Sequence, residues 1–350
     1  MRNMRDRMIF AGFASFRATG LHRLMAPWTR GRGAILMFHH VRPARADAFD
    51  PNRLLEITPQ FLEGVIVLVR TRGFEIVGMD EALERLARPK APGEKPFAVL
   101  TFDDGYWDNR DYALPILQAQ NAPFTLFVTT GFADRSARLW WRELEAAIRQ
   151  MDQVVLGSGT AKVKLPARTA AEKSQTFAKA YWWLRGKGEP EMLQIIASLC
   201  KQAGVDTQKL VAGACMDWDA IKTIARDPLC TIGVHTLTHS MLAKHDLAMA
   251  TQEMAESRRI TEAHIGKPAL HFSYPVGDRT SAGEREFQLA KSLGFASAVT
   301  TRPGMVLDAH RDRLTNLPRL SINGKWQSLA TVDVLLSGAP FALFNFGQPA

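Results

Sequence analysis

Thr101-Phe102-Asp103-Asp104-Gly105 follows directly on the apolar run Phe97-Ala98-Val99-Leu100. A short continuous apolar run bounded by turn residues reads as a strand buried on both faces. Two carboxylates therefore stand side by side at the end of a buried strand. Like charges repel, and burial raises both pKa values. A bound cation removes the conflict, because one carboxylate can ligate it while the other stays ionised beside it as a base. Three further runs end in chemistry-bearing residues. Leu229–Val234 ends in His235-Thr236-Leu237-Thr238-His239, Ala34–Phe38 in His39-His40, and Ala269–Ser273 in Tyr274-Pro275-Val276-Gly277. In a parallel barrel or doubly wound sheet the carboxyl ends of the strands share one face, and the active site sits there. Singly, each string reads as a turn, a helix surface or a cap. Together, at four strand ends, they argue for one assembled site.

The chain of 350 residues suits one large α/β barrel or two ordinary domains. Its net charge of +9 is concentrated at the start, where residues 1–32 hold seven Arg against a single Asp. The body is then close to neutral, which removes the support for nucleic-acid binding. Three Cys, at 200, 215 and 230, have no metal-site spacing and read as reduced structural thiols. No run reaches the roughly 18 apolar residues of a membrane span. The start matches a signal peptide poorly, because its apolar stretch is short and no small-residue cleavage site follows. The expectation is a cytoplasmic protein with a basic, amphipathic helix over residues 1–32. That helix either lies on an anionic membrane surface or packs on the barrel with its Arg side chains solvated.

Along the chain, strand and helix alternate from residue 33, as in a parallel sheet. Thr58-Pro59 reads as an N-cap with Pro at the first helical position. The alternation breaks over residues 136–217, which read as an insertion of helices and a hairpin, Val154-Val155-Leu156 with Val163-Lys164-Leu165, joined through Gly-Ser-Gly. It resumes to about residue 330, leaving 331–350 as a C-terminal tail. The pairs Trp140-Trp141 and Trp182-Trp183 read as core of the insertion, with Trp140 or Trp141 as the alternative edge of a sugar site.

Asp104, His235 and His239 form a candidate metal site whose three N/O ligands leave one position open, the form of a catalytic rather than a closed structural centre. The His-x-x-x-His spacing puts both imidazoles on one side if the chain turns helically there. Asp103 is the candidate general base and His39 the candidate acid, with an unperturbed pKa near ~6.5. The backbone N–H of Val276 is a candidate oxyanion donor. His22, His245, His264 and His271 read as ordinary.

At these residues the chain resembles the polysaccharide deacetylases, the fourth carbohydrate esterase family, or NodB homology group. Thr-Phe-Asp-Asp-Gly matches the first family motif, His-Thr-x-x-His the second, and Phe272–Gly277 resembles the third. The resemblance implies a distorted (β/α) barrel of seven or eight strands over residues 33–330, outside the insertion. It also implies a divalent metal, Zn²⁺ or alternatively Co²⁺ or Ni²⁺, on Asp104, His235 and His239, with Asp103 as base and an N-acetyl group as the bond hydrolysed. The third motif usually carries an Arg that orients the base. Here Ser273 stands in its place, and Arg319 is the candidate substitute. The Leu-x-x-His motif that supplies the acid usually lies near the C-terminus. Leu36–His39 fits it at the N-terminal side, as in permuted members, and is preferred to the string ending in His310.

The expected function is metal-dependent removal of N-acetyl from an amino sugar in an oligosaccharide, polysaccharide or glycolipid precursor. The rival readings are hydrolysis of a small non-sugar amide and a catalytically silent binding protein on the same fold.

Overall fold

The computed structural model describes residues 4–157 and 162–344. Ser158-Gly159 of the hairpin connection, residues 1–3 and residues 345–350 lie outside them. Among the described residues eight strands form one parallel sheet: β1 (Gly33–Phe38), β2 (Glu75–Ile76), β3 (Phe97–Phe102), β4 (Phe124–Val128), β5 (Cys230–Val234), β6 (His271–Ser273), β7 (Ser297–Val299) and β8 (Leu320–Ser321). The order is β7-β6-β5-β4-β3-β1-β8, with β2 beside the start of β3. A parallel bridge from Val299 to Leu317 brings the end of β7 beside the approach to β8, so the sheet curls into a distorted barrel.

The apolar runs fix this arrangement. Every residue of β1, β3 and β4 is buried, as a parallel sheet covered on both faces requires. Alternation divides the two faces. Ala34, Leu36, Phe38, Ala98, Leu100 and Phe102 pack outward against Leu62, Val65, Ile66 and Val69 of the helix Pro59–Thr71. Ile35, Val99, Phe127, Val299 and Leu317 form a separate inner cluster. With a period of two, Thr101 and Asp103 follow Val99 toward the inside. At Gly233 in β5 a Cβ would lie 2.4 Å from the Phe127 ring, so only glycine admits that ring.

Between β4 and β5 the helices Trp140–Gln150, Ala170–Arg185, Glu189–Gln202 and Thr207–Ala214 surround the antiparallel hairpin Gln153–Leu156/Val163–Pro166. They share a cluster built on Leu144, Ile148, Leu165, Leu184, Ile196 and Leu199. The last of these helices is short and was not evident in the sequence. Trp140 and Trp141 are buried there, whereas Trp182 is 67% exposed and is not core.

Two expectations are corrected at the ends. Residues 4–29 form two helices, Met4–Ala18 and Leu21–Thr29, not one. Gly20 between them adopts a left-handed φ of 67°, which ends a helix at little cost for glycine. Of the segment expected as a tail from residue 331, the described part, residues 331–344, continues the fold instead. In the helix Leu329–Leu336, Val332 and Leu336 are buried in the same cluster as Val65 and Val69, one turn apart on one face. Asp333 accepts hydrogen bonds from Nε and Nη2 of Arg72, the latter at 2.7 Å. Leu336→Ala is therefore expected to destabilise the protein by about 2–5 kcal/mol, the cost of a core truncation. Denaturant unfolding checks this, and a midpoint unchanged from the parent would mean that the segment is a tail after all.

Candidate active site

The four polar strand ends meet. Asp103 continues β3 by one residue, its N–H donating to the Phe38 carbonyl at 3.1 Å. Asp104 and Gly105 then take left-handed φ values of 74° and 72°. That turn separates the two adjacent carboxylates, and Asp is among the residues that tolerate it.

Asp103 is held by Arg319. Arg319 Nη1 donates to Oδ1 at 2.8 Å and Nη2 to Oδ2 at 2.7 Å, a bidentate fork whose planar geometry matches a carboxylate. The same guanidinium is fixed by Thr300 O at 2.9 Å, Thr101 Oγ1 at 3.2 Å and Ser273 Oγ at 2.9 Å. Arg319 and Asp103 are both buried. Burial pushes the Asp103 carboxyl up, but the Arg319 charge, with His235 and His39, outweighs it and leaves the group below the ordinary carboxylate range. Arg319 thus brings a guanidinium to Asp103 from the approach to β8, and Ser273 adds its hydroxyl to the same group.

Asp104 faces two imidazoles. Its Oδ1 lies 3.4 Å from His235 Nε2 and 3.3 Å from His239 Nε2, and the three groups place ligand atoms within 4.8 Å of one another. All three residues are buried, and Asp104 Oδ1 accepts no hydrogen bond. A buried carboxylate oxygen without a donor is costly, and a divalent cation among these atoms would satisfy it. His235 supports the same reading. Its Nδ1 lies 2.6 Å from the Ser273 carbonyl, which can only accept, so Nδ1 carries a hydrogen and Nε2 is the ring atom turned toward Asp104, where a cation would take its lone pair. Metal-ligating histidines are commonly oriented in this way. Burial raises the Asp104 carboxyl, and His235 and His239 more than offset this, holding it well below the usual range.

The His-x-x-x-His segment reaches this geometry without a helix. Residues 235–239 form a loop, with φ of 66° at Thr236 and 60° at His239. The loop is pinned by side chains that the sequence did not single out. Glu253 accepts the N–H groups of Leu237 and Thr238 at 2.9 and 3.0 Å and the Thr238 hydroxyl at 2.7 Å. Thr129 Oγ1 donates to the His235 carbonyl at 2.9 Å, and the Gly131 N–H to the Leu237 carbonyl at 2.8 Å. The His239 ring packs against Phe132, 5.8 Å away, and Trp141, 4.7 Å away, so the insertion, through Trp141, forms one wall of the site.

His39 lies just beyond β1 and is half-buried. Burial draws its imidazole below the ordinary histidine value, against the pull of Asp104 and Asp103. His40 points elsewhere, its Nδ1 2.7 Å from Asp108 Oδ2. Val276 has a φ of 62°, and its carbonyl accepts from Thr301 Oγ1 at 2.7 Å. At Gly277, φ is 60° and a Cβ would meet the Thr301 nitrogen at 2.7 Å, so this turn depends on its glycine. His310 accepts the Leu307 N–H on Nδ1 at 2.9 Å, as a local cap. His245 pairs with Glu189, His264 stacks on Trp218, and His271 contacts Ser297 and Asp80.

Comparison with known proteins bears on the fold and the family. The polysaccharide deacetylase family model matches residues 90–298. Among solved structures, the Streptococcus pyogenes deacetylase PplD is similar at 18% identity and a TM-score of 0.55, over 90% of this chain and 98% of that one. IcaB from Ammonifex degensii is similar at 17% identity and a TM-score of 0.52, over 86% and 96%. The de-N-acetylase from Aggregatibacter actinomycetemcomitans is similar at 15% identity and a TM-score of 0.53, over 86% and 98%. At these identities the likeness concerns the fold. Comparison with curated proteins finds no match. On the family match and on the residues assembled at its strand ends, the chain belongs to the polysaccharide deacetylases, hydrolases that remove acetyl groups from carbohydrates.

Proposed function

We propose that this protein hydrolyses the N-acetyl amide of an amino sugar in an oligosaccharide, polysaccharide or glycolipid precursor, and that it needs a divalent metal, Zn²⁺ or alternatively Co²⁺ or Ni²⁺. The observation that carries the reading is the clamped, ionised Asp103 beside the unsatisfied Asp104–His235–His239 cluster. A cation held by those three residues would polarise the acetyl carbonyl and acidify water. The chain's own groups do the rest. Asp103 takes a proton from the attacking water, and Arg319 keeps that carboxylate charged and aimed. The Val276 N–H donates to the oxygen on which negative charge develops. His39 gives a proton to the departing amine as the C–N bond breaks, releasing acetate and the free amino sugar. A silent binding protein is disfavoured because its one support, Ser273 at the usual arginine position, is offset by Arg319 at Asp103.

The test is acetate release from N-acetylglucosamine oligomers. Activity is expected to vanish with chelator, return with metal, and fall by about 10²–10⁴ in Asp103→Asn, the usual contribution of a general base. Arg319→Met is expected to move the acid limb of kcat/KM upward. Without the guanidinium, burial dominates, the Asp103 pKa rises, and the base is protonated at a higher pH. Chelator-resistant release, or an unmoved acid limb, would count against these roles. No release by metal-loaded protein would turn attention to a small amide.

We also propose a cytoplasmic, membrane-peripheral location. Cys200, Cys215 and Cys230 are free thiols, as a reducing compartment allows. No described helix is long and apolar enough to cross a membrane. The helix Leu21–Thr29 leaves Leu21, Leu24 and Trp28 exposed, the last two at 67% and 79%. They share one face by helical spacing, beside exposed Arg23, in the segment that carries most of the net positive charge. An apolar stripe flanked by Arg suits an anionic lipid surface. Cosedimentation with phosphatidylserine-containing vesicles is expected, with about tenfold less in Leu24→Ser/Trp28→Ser and little with phosphatidylcholine alone. Equal sedimentation of parent and variant would refute the assignment.

A further inference from the structure

His39 stands outside the sheet. β1 ends at Phe38, and the chain leaves the barrel through His39-His40-Val41. These three residues are gripped by two adjacent side chains. Asn109 Nδ2 donates to the His39 carbonyl at 2.6 Å. Asp108 Oδ2 takes the His40 Nδ1–H at 2.7 Å, and Oδ1 accepts the Val41 N–H at 3.1 Å. Asn109 Nδ2 also lies 3.4 Å from Asp108 Oδ1, linking the two. The His40 ring stacks on Tyr106 with centroids 3.6 Å apart. Asp108, Asn109, His40 and Tyr106 are all buried.

The clamp stems from the acidic motif itself. Asp108 and Asn109 open the π-helical turn Asn109–Ala113 that begins four residues after Gly105, and the Asn109 N–H donates to the Tyr106 carbonyl at 3.1 Å. Single π-turns are frequent at functional sites. The stretch that carries Asp103 and Asp104 therefore also holds the backbone of His39, although His39 is far away in sequence.

We propose that Asp108 and Asn109 are positioning residues for the proton donor, fixing His39 at a set place relative to Asp103 and Asp104. This rests on the reading of His39 as the acid. A proton donor must come within about 2.6–3.2 Å of the atom it protonates, and a misplacement of about 1 Å can cost about 10²-fold in rate. Asn109→Leu keeps the size and removes the donor to His39. Asp108→Asn is the milder second variant, should the first fail to fold.

The experiment compares two substrates. An N-acetylglucosamine oligomer has an amine leaving group that must be protonated. 4-Nitrophenyl acetate has a leaving group that departs without a proton. The readout is the ratio of amide to aryl-ester kcat in metal-loaded parent, His39→Ala, Asn109→Leu and Asp108→Asn. The ratio is expected to collapse in His39→Ala and to fall by about 10–100-fold in the clamp variants, on the scale of misplacement above. A ratio equal to the parent's in both clamp variants, whether both rates drop together or neither drops, would overturn the proposal, since damage to the fold or to metal loading lowers both rates alike. An unchanged ratio in His39→Ala would overturn the assignment of His39 and the clamp with it.

Discussion

Two neighbouring carboxylates at the buried end of β3 set the terms for the rest of the molecule. Left alone, Asp103 and Asp104 would repel each other and lose solvation, and at least one would be neutral at pH 7. The fold gives them opposite surroundings. Asp103 receives a bidentate guanidinium at 2.7 and 2.8 Å. Asp104 is turned by its left-handed φ toward two imidazoles, with Oδ1 still lacking a donor. One carboxylate is thereby paired and charged, and its neighbour is left with an oxygen that lacks a donor, as the proposed ligand role requires. Environment alone assigns different roles to chemically identical groups.

The barrel supplies what this division needs. Parallel strands of continuous apolar residues deliver all four chemical segments to one rim. Beyond the strands the positions are set by polar pins: Glu253 under the 235–239 loop, Ser273 O on His235, Thr301 on the Val276 turn, and Asp108 with Asn109 on the His39 segment. The insertion adds Trp141 against His239. Rigid strands thus carry the groups to the rim, and hydrogen bonds to loop backbone set the final geometry.

How much of this was legible in the sequence depended on how local the information was. The strands were legible because burial on both faces writes an unbroken apolar run. The Asp-Asp-Gly and His-x-x-x-His strings were legible because polar, chemistry-bearing residues stand out at the ends of apolar runs. The helical reading of 235–239 failed because spacing cannot distinguish a helical turn from a loop with two left-handed residues held by Glu253. Arg319 was visible only as a substitute, since it meets Asp103 across 216 positions of chain. Trp182 read as core because composition does not say which side of the helix Ala170–Arg185 is covered. The helix Leu329–Leu336 was missed because its apolar residues acquire meaning only once the helix Pro59–Thr71 is in place to receive them.

The claim that the two carboxylates divide their labour is tested most directly by metal stoichiometry, measured on purified protein by elemental analysis and by Zn²⁺ titration calorimetry. The account predicts about one divalent ion per chain in the parent and in Asp103→Asn, and none retained in Asp104→Asn or His239→Ala. Loss of the ion in Asp103→Asn, or its retention in Asp104→Asn, would contradict the assignment of one carboxylate to the cation and the other to the proton.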